Sequence, residues 1–229
     1  MDFSKFENKL NINFKNKNLL KQAFTHRSYI NEKPEAGEHN ERLEFLGDAV
    51  LELVVTRHLY DKYPNKTEGE LTNYRSGLVN TNTLSEVASK LNMSDFLLLS
   101  KGESKDVGRA RQYILADTFE ALIGSIYIDS GYDAAYGFIA NNLFGYIDDM
   151  VARNLWRDAK SFMQEKAQDV EGATPYYKLI KEDGPDHAKE FTIGVYIGDR
   201  LLGEGRGLSK QEAEQMAAED GLKKKGWSN

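Results

Sequence analysis

The sequence predicts a chain in two parts: a mainly α N-terminal region, then a small α+β unit ordered α-β-β-β-α. Three observations predict it. From residue 3 to about residue 151, apolar residues recur at helical spacing. Between Ala152 and Asp158 that pattern changes. Beyond it, three short runs rich in β-branched and aromatic residues lie between two further helical segments.

Taken in order, residues 3 to 30 form a helical entry on Phe6, Leu10, Ile12, Phe14, Leu19, Leu20, Ala23 and Phe24, closing on His26, Arg27 and Ser28. A polar loop from Asn31 to Glu38, with Pro34 and Gly37, leads to Asn40 as the N-cap of a helix running to about Tyr60. After the turn residues Tyr63-Pro64-Asn65, Thr67-Glu68-Gly69-Glu70 opens a helix carrying Leu71, Tyr74, Leu78 and Val79. Asn80 to Asn92 is a further amphipathic helix. Lys101 to Gln112 reads as a basic loop, Gln112 to Asp129 as a long helix stopped by Gly131, and Tyr132 to Val151 as one last helix. In the second part, a helix from Ala159 to Asp169 precedes strands at Tyr176 to Lys181, Phe191 to Ile197 and Arg200 to Gly205, the last two joined at Gly198-Asp199. Ser209 caps a final helix that ends in the lysines 223 to 225.

Two of these helices carry acids in an unusual setting. At about 100° per residue, Glu41, Glu44 and Asp48 fall at about 0°, 300° and 340°, one stripe roughly 60° wide. Leu43, Leu46, Ala49, Val50, Leu53 and Val54 fill the opposite arc and Phe45 and Leu51 flank the stripe, so the helix is expected to be buried nearly all round. The segment from Gln112 to Asp129 repeats the arrangement with Asp117 and Glu120 amid Ile114, Leu115, Phe119, Leu122, Ile123 and Ile126. Acids three or four apart on one helix ordinarily mark a solvated face; two helices otherwise apolar reverse that expectation. Carboxylates so placed must either take up protons or hold cations. Hard divalent ions prefer oxygen donors, which makes this a candidate Mg²⁺ site, with Mn²⁺ as a substitute.

Bulk composition narrows the field. No stretch approaches the run of about 18 apolar residues that a membrane span needs. The N-terminus lacks the apolar core of a signal peptide, and a cytoplasmic location is expected. With no cysteine, disulfides, thiolate zinc sites and cysteine nucleophiles are excluded. Thirty Lys and Arg against 36 Asp and Glu give a net charge of −6, which argues at first against a nucleic-acid partner. Several of those acids are the clustered ones, however, and a local patch matters more than the total.

The segment NERLEFLGDAVL, Asn40 to Leu51, is very similar to the signature of the ribonuclease III family, and ILADTFEALIGSIY, Ile114 to Tyr127, resembles that family's second acidic motif. The α-β-β-β-α unit resembles the double-stranded-RNA-binding domain that follows the nuclease domain in bacterial members. The resemblance implies an endonuclease domain over residues 1–152 and an RNA-binding domain over residues 158–228. It implies that Glu44, Asp48, Asp117 and Glu120 hold Mg²⁺, with Asp48 and Glu120 at the main catalytic positions. Glu41 and Glu70 match secondary acidic positions. Ser161, Gln164 and His187 match contacts to successive minor grooves, and Ser209, Lys210 and Gln211 contacts to phosphates across the major groove between them. Many relatives are more basic where this chain has Gln211 and Glu212, so Lys223, Lys224 and Lys225 compensate only if they point the same way.

The implied activity is Mg²⁺-dependent cleavage of double-stranded RNA to 5′-phosphate and 3′-hydroxyl ends, in the processing of ribosomal RNA precursors and messages, by a homodimer. Phe45 and Leu46 are the expected dimer contact. His26, His39 and His58 are read as structural or exposed. A non-catalytic RNA-binding relative would have lost acids, and all four are kept. A di-iron bundle would need Glu-x-x-His motifs, which neither acidic helix offers.

Overall fold

The computed structural model describes residues 2–10, 12–105, 107–152, 158–185 and 189–227. It divides into two compact units, Met1–Trp156 and Arg157–Asn229. No helix among the described residues is long and apolar enough to cross a membrane.

Apart from a β-bridge between Thr25 and Leu98, the regular elements among the described residues of the first unit are helices. Helices α1 (Ser4–Leu10), α2 (Lys17–Ala23) and α3 (Arg27–Glu32) replace the single entry segment, each too short to stand without packing. Phe6 and Phe24 are buried edge to face at 4.9 Å and Phe96 closes over them. The long helices α4 (Glu41–Lys62) and α7 (Arg109–Ser130) make the centre, flanked by α5 (Glu68–Leu78), α6 (Thr81–Lys90), α8 (Tyr132–Leu143) and α9 (Gly145–Ala152). From α4, Leu43, Val50, Leu51, Val54, Val55 and Leu59 enter the core; burying each such side chain contributes about 1.5 to 3 kcal/mol.

Several expectations are corrected here. Helix α4 is not buried all round: Phe45 is 81% and Leu53 58% exposed, because no other element of this unit covers their arc. Asn40 occupies the N-cap position without capping; its backbone is αR, and it is buried with Nδ2 donating to the Ala23 carbonyl at 3.4 Å. Helix α7 starts at Arg109, after Gly108 at φ 77°, so Arg109 and Arg111 belong to the helix. The segment after Gly131 is two helices, broken around Phe144, whose ring stacks on His58 at 3.7 Å.

The crossing of α4 and α7 is set by two glycines. A Cβ on Gly47 would lie 1.8 Å from the Glu120 carbonyl oxygen, and one on Gly124 would lie 2.2 Å from that of Leu43. The two backbones therefore touch. Any side chain at either position would force the helices apart.

The second unit has the predicted α-β-β-β-α order: α10 (Ala159–Glu171), β1 (Tyr176–Asp183), β2 (Glu190–Ile197), β3 (Arg200–Gly207) and α11 (Lys210–Lys225). Its antiparallel sheet runs β1-β2-β3, with Tyr176 opposite Tyr196 and Ile197 opposite Arg200 beside Gly198 at φ 55°. Gly203 and Gly205 let α11 lie against β3, since a Cβ on them would come within 2.3 Å of the Gly221 nitrogen and 2.2 Å of the Ala217 nitrogen. Met163, Val195, Leu202, Ala217, Ala218 and Leu222 fill its core.

Candidate active site and RNA-binding unit

Glu44 and Asp48 sit one turn apart on α4, on either side of Gly47; Asp117 and Glu120 sit one turn apart on α7, ahead of Gly124. Because the glycines bring the two main chains into contact, the acids of one helix face those of the other. One carboxylate oxygen each from Glu44, Asp117 and Glu120 lies within 4.8 Å of the others. Asp48 is exposed and stands outside that trio, near enough for its charge to act on both glutamates.

Burial raises the Glu120 carboxyl to about 8, helped by repulsion from Asp48, Asp117 and Glu44. Burial raises Glu44 to about 7, helped by Asp117, Glu41 and Asp48. Asp117 is raised as well, by burial first and then by Glu41. The helices thus bring together carboxyls that resist ionising unless positive charge joins them. An all-oxygen donor set of this size and charge fits a hard divalent cation.

The secondary acids divide. Glu41 lines the same region but is met by Arg27 at 3.5 Å and His39 at 3.9 Å. Glu70 does not join the trio. It closes a capping box with Thr67 at the start of α5, pairs with Lys66 at 2.7 Å, and is held down at about 2, chiefly by Lys66. His26, set aside in the sequence, lines a recess of about 390 Å³ together with Glu41, Glu44 and Asp117. Its signal was the His-Arg-Ser run after an apolar helix, which spacing alone gave no reason to link to acids further along.

In the second unit, Ser161, Gln164 and Gln211 line one polar cleft between α10, β1 and α11. Asp158 caps α10 through the Lys160 and Ser161 nitrogens and accepts the Ser161 hydroxyl at 2.6 Å. Ser209 caps α11 by accepting from the Glu212 nitrogen, and Lys210 reaches over the Phe191 ring. Glu212 braces the entry to α11 by accepting the Leu208 N–H at 2.9 Å. Lys223 to Lys225 lie at the other end of α11, about 20 Å from Lys210 at about 1.5 Å per residue. Lys224 is paired with Asp220 and Lys225 with Glu171. They do not reinforce the Ser209 end. His187 lies outside the described residues.

The two units thus define a helical protein with a carboxylate cluster that carries a small α+β module with a polar cleft. The Ribonuclease-III-like family matches residues 16–147 and the double-stranded RNA binding motif matches residues 159–225. A protein named Ribonuclease 3 from Borreliella burgdorferi is 46% identical over 220 residues, covering 96% of this chain and 90% of its own length. One of the same name from Bacillus licheniformis is 44% identical over 223 residues, covering 97% and 89%. The solved nuclease domain of ribonuclease III from Campylobacter jejuni, which shows structural flexibility in a region involved in dimer formation, is 40% identical at a TM-score of 0.56, covering 62% of this chain and 98% of that one. The chain belongs to the ribonuclease III family and is an endoribonuclease.

Proposed function

We propose that the chain is a Mg²⁺-dependent nuclease that cuts double-stranded RNA to 5′-phosphate and 3′-hydroxyl ends, with residues 1–152 as its endonuclease domain and 158–228 as its RNA-binding domain. The observation that carries this reading is the meeting of Glu44, Asp117 and Glu120 within 4.8 Å. These three would hold the ion. Bound there, Mg²⁺ or Mn²⁺ supplies relief of the phosphate's charge and a water of lowered pKa. Asp48, exposed beside the trio, orients the attacking water by accepting its hydrogen bond. Glu41 keeps Arg27 at the rim.

Ser161, Gln164 and His187 meet the minor grooves of the duplex, and Ser209, Lys210 and Gln211 its phosphates. The chain works as a cytoplasmic homodimer on ribosomal RNA precursors and structured messages. The dimer is supported by Phe45, Ala49 and Leu53, exposed at i, i+4 and i+8 along α4, and by a recess of about 660 Å³ lined by Leu19, Phe45, Leu46 and Ile128. An aromatic side chain left so bare beside a recess fits an isologous contact. The test is incubation with a long perfect RNA duplex in Mg²⁺ and in EDTA. Short duplex products with 5′-phosphates in Mg²⁺ alone are expected; an intact duplex in both would end the nuclease reading.

A further inference from the structure

His26 is wedged by its own sequence neighbourhood. Its backbone N–H donates to the Leu98 carbonyl at 3.0 Å, while Leu98 N–H donates back to Phe24 and Asn40 N–H to Thr25, so the segment is fixed between two parts of the fold. The ring is fixed as well. Nδ1 accepts the Ser28 backbone N–H at 3.3 Å and lies 2.8 Å from the Ser28 hydroxyl, which itself accepts the Ser100 N–H at 3.1 Å. An Nδ1 that accepts carries no proton, so the neutral ring holds its hydrogen on Nε2. With the Nδ1 edge turned to Ser28, the Nε2 edge is left for the recess.

That recess is otherwise lined by four carboxylates and by three further donors, Arg27, Asn40 and Tyr113. Glu41, Glu44, Glu103 and Asp117 are acceptors when ionised. Asn40 Nδ2 donates to the Ala23 carbonyl, while the exposed Arg27 lies 3.5 Å from Glu41 and keeps further N–H groups to offer at the rim; His26 differs from it in being fixed by its backbone and by Ser28. Tyr113, 53% exposed, brings a hydroxyl to the lining. Three side-chain atoms among the described residues are buried without a hydrogen-bond partner, His39 Nδ1, His58 Nε2 and Tyr177 Oη. His26 Nε2 is not one of them, because the recess keeps it within reach of whatever enters.

We propose that His26 donates its Nε2–H to a non-bridging phosphate oxygen of the RNA strand being cut, and so seats that strand against Glu44 and Asp117. It is a neutral donor among carboxylates, so it attracts the phosphate without competing with a cation for the acids. The inference rests on the nuclease reading above and adds a substrate contact to it.

The test compares three full-length proteins on the same RNA duplex in Mg²⁺. His26→Asn keeps an acceptor where Nδ1 caps Ser28 but has nothing at the Nε2 position. His26→Gln carries an amide that reaches toward that position. Loss of one hydrogen bond to a charged group corresponds to about 10- to 100-fold. Expected is such a fall in kcat/KM for His26→Asn at an unchanged melting temperature, with part of the loss recovered in His26→Gln. Wild-type cleavage by His26→Asn overturns the proposal. So does a loss of activity that follows the melting temperature and is no better in His26→Gln, which would make the histidine purely architectural. A wild-type protein that leaves the duplex whole is a different result, and it removes the nuclease reading itself.

Discussion

Glu120 and Glu44 have an ordinary value of 4.5 and stand at about 8 and about 7 in the fold, raised chiefly by burial. Between those values the folded chain holds protons that the unfolded chain has lost, so its stability falls as pH rises from about 4.5 toward about 8. Without divalent ions, the melting temperature is therefore expected to drop across that range. Added Mg²⁺ should recover more of it at pH 8 than at pH 6, because protons occupy the carboxylates at the lower pH. Glu120→Gln removes part of the repulsion, so the metal-free variant should melt higher than wild type at pH 8, with a flatter pH profile. Its cleavage should fall by about 100-fold or more, since losing even a partner of a metal ligand costs about 10- to 100-fold; wild-type cleavage at saturating Mg²⁺ would remove Glu120 from the site. At this scale the sequence was readable where chemistry lies in the residue type. Of the four acids singled out, Glu44, Asp117 and Glu120 do come together between the helices, whereas Asp48 is exposed beside them. The sequence was not readable for His26, whose role depends on which ring nitrogen the Ser28 backbone occupies, nor for Glu70, whose capping box uses the same carboxylate that the motif offers.

At the scale of elements, the glycines decide the site. Gly47→Ala and Gly124→Ala each place a methyl group inside the backbone of the facing helix. Overpacking typically costs about 1 to 3 kcal/mol, and contact with main chain rather than a movable side chain puts these at the upper end or beyond. Urea unfolding should show that loss. It should come with weakened Mg²⁺ binding, which a remote core substitution of equal cost would not produce. A glycine inside an apolar helix was visible in the sequence, but a lone glycine does not say which helix it meets; the partner, Gly124, is 77 residues away. Strand positions were legible because alternation and the Gly198 turn are local signals. The break near Phe144 was not, because it accompanies a ring stack on His58 that spacing cannot show.

For the molecule as a whole, charge and the bare edge of α4 matter most. With a net charge of −6, and with Lys224 and Lys225 at the end of α11 ion-paired, the lysine run has less charge to give to an RNA backbone than its composition suggests. Duplex affinity should therefore fall only gently with salt. Gln211→Lys should tighten binding and steepen the dependence of log K on log salt by about 0.7 to 0.9 per added phosphate contact, as measured by titration at several salt concentrations. Phe45→Asp should shift the sedimenting species from dimer to monomer while the helical signal of the unit is kept, because the side chain lies outside its core. A monomer in the wild-type protein at micromolar concentration would remove that role from α4. Burial of this helix was overestimated from sequence since an apolar stripe looks the same whether it meets the chain's own core or another copy.

The meeting of Gly47 with Glu120 and of Gly124 with Leu43 is main chain against main chain, with no rotamer able to loosen it. The carboxylates are thereby assembled ahead of any occupant, like a socket cut before its plug. Above about pH 8, where Glu44 and Glu120 have given up their protons, uptake of a cation then waits on the ion shedding its own hydration shell and not on a shift of the helices, so fluorescence-detected mixing experiments at that pH should find association rates that track the water-exchange rate of the metal supplied.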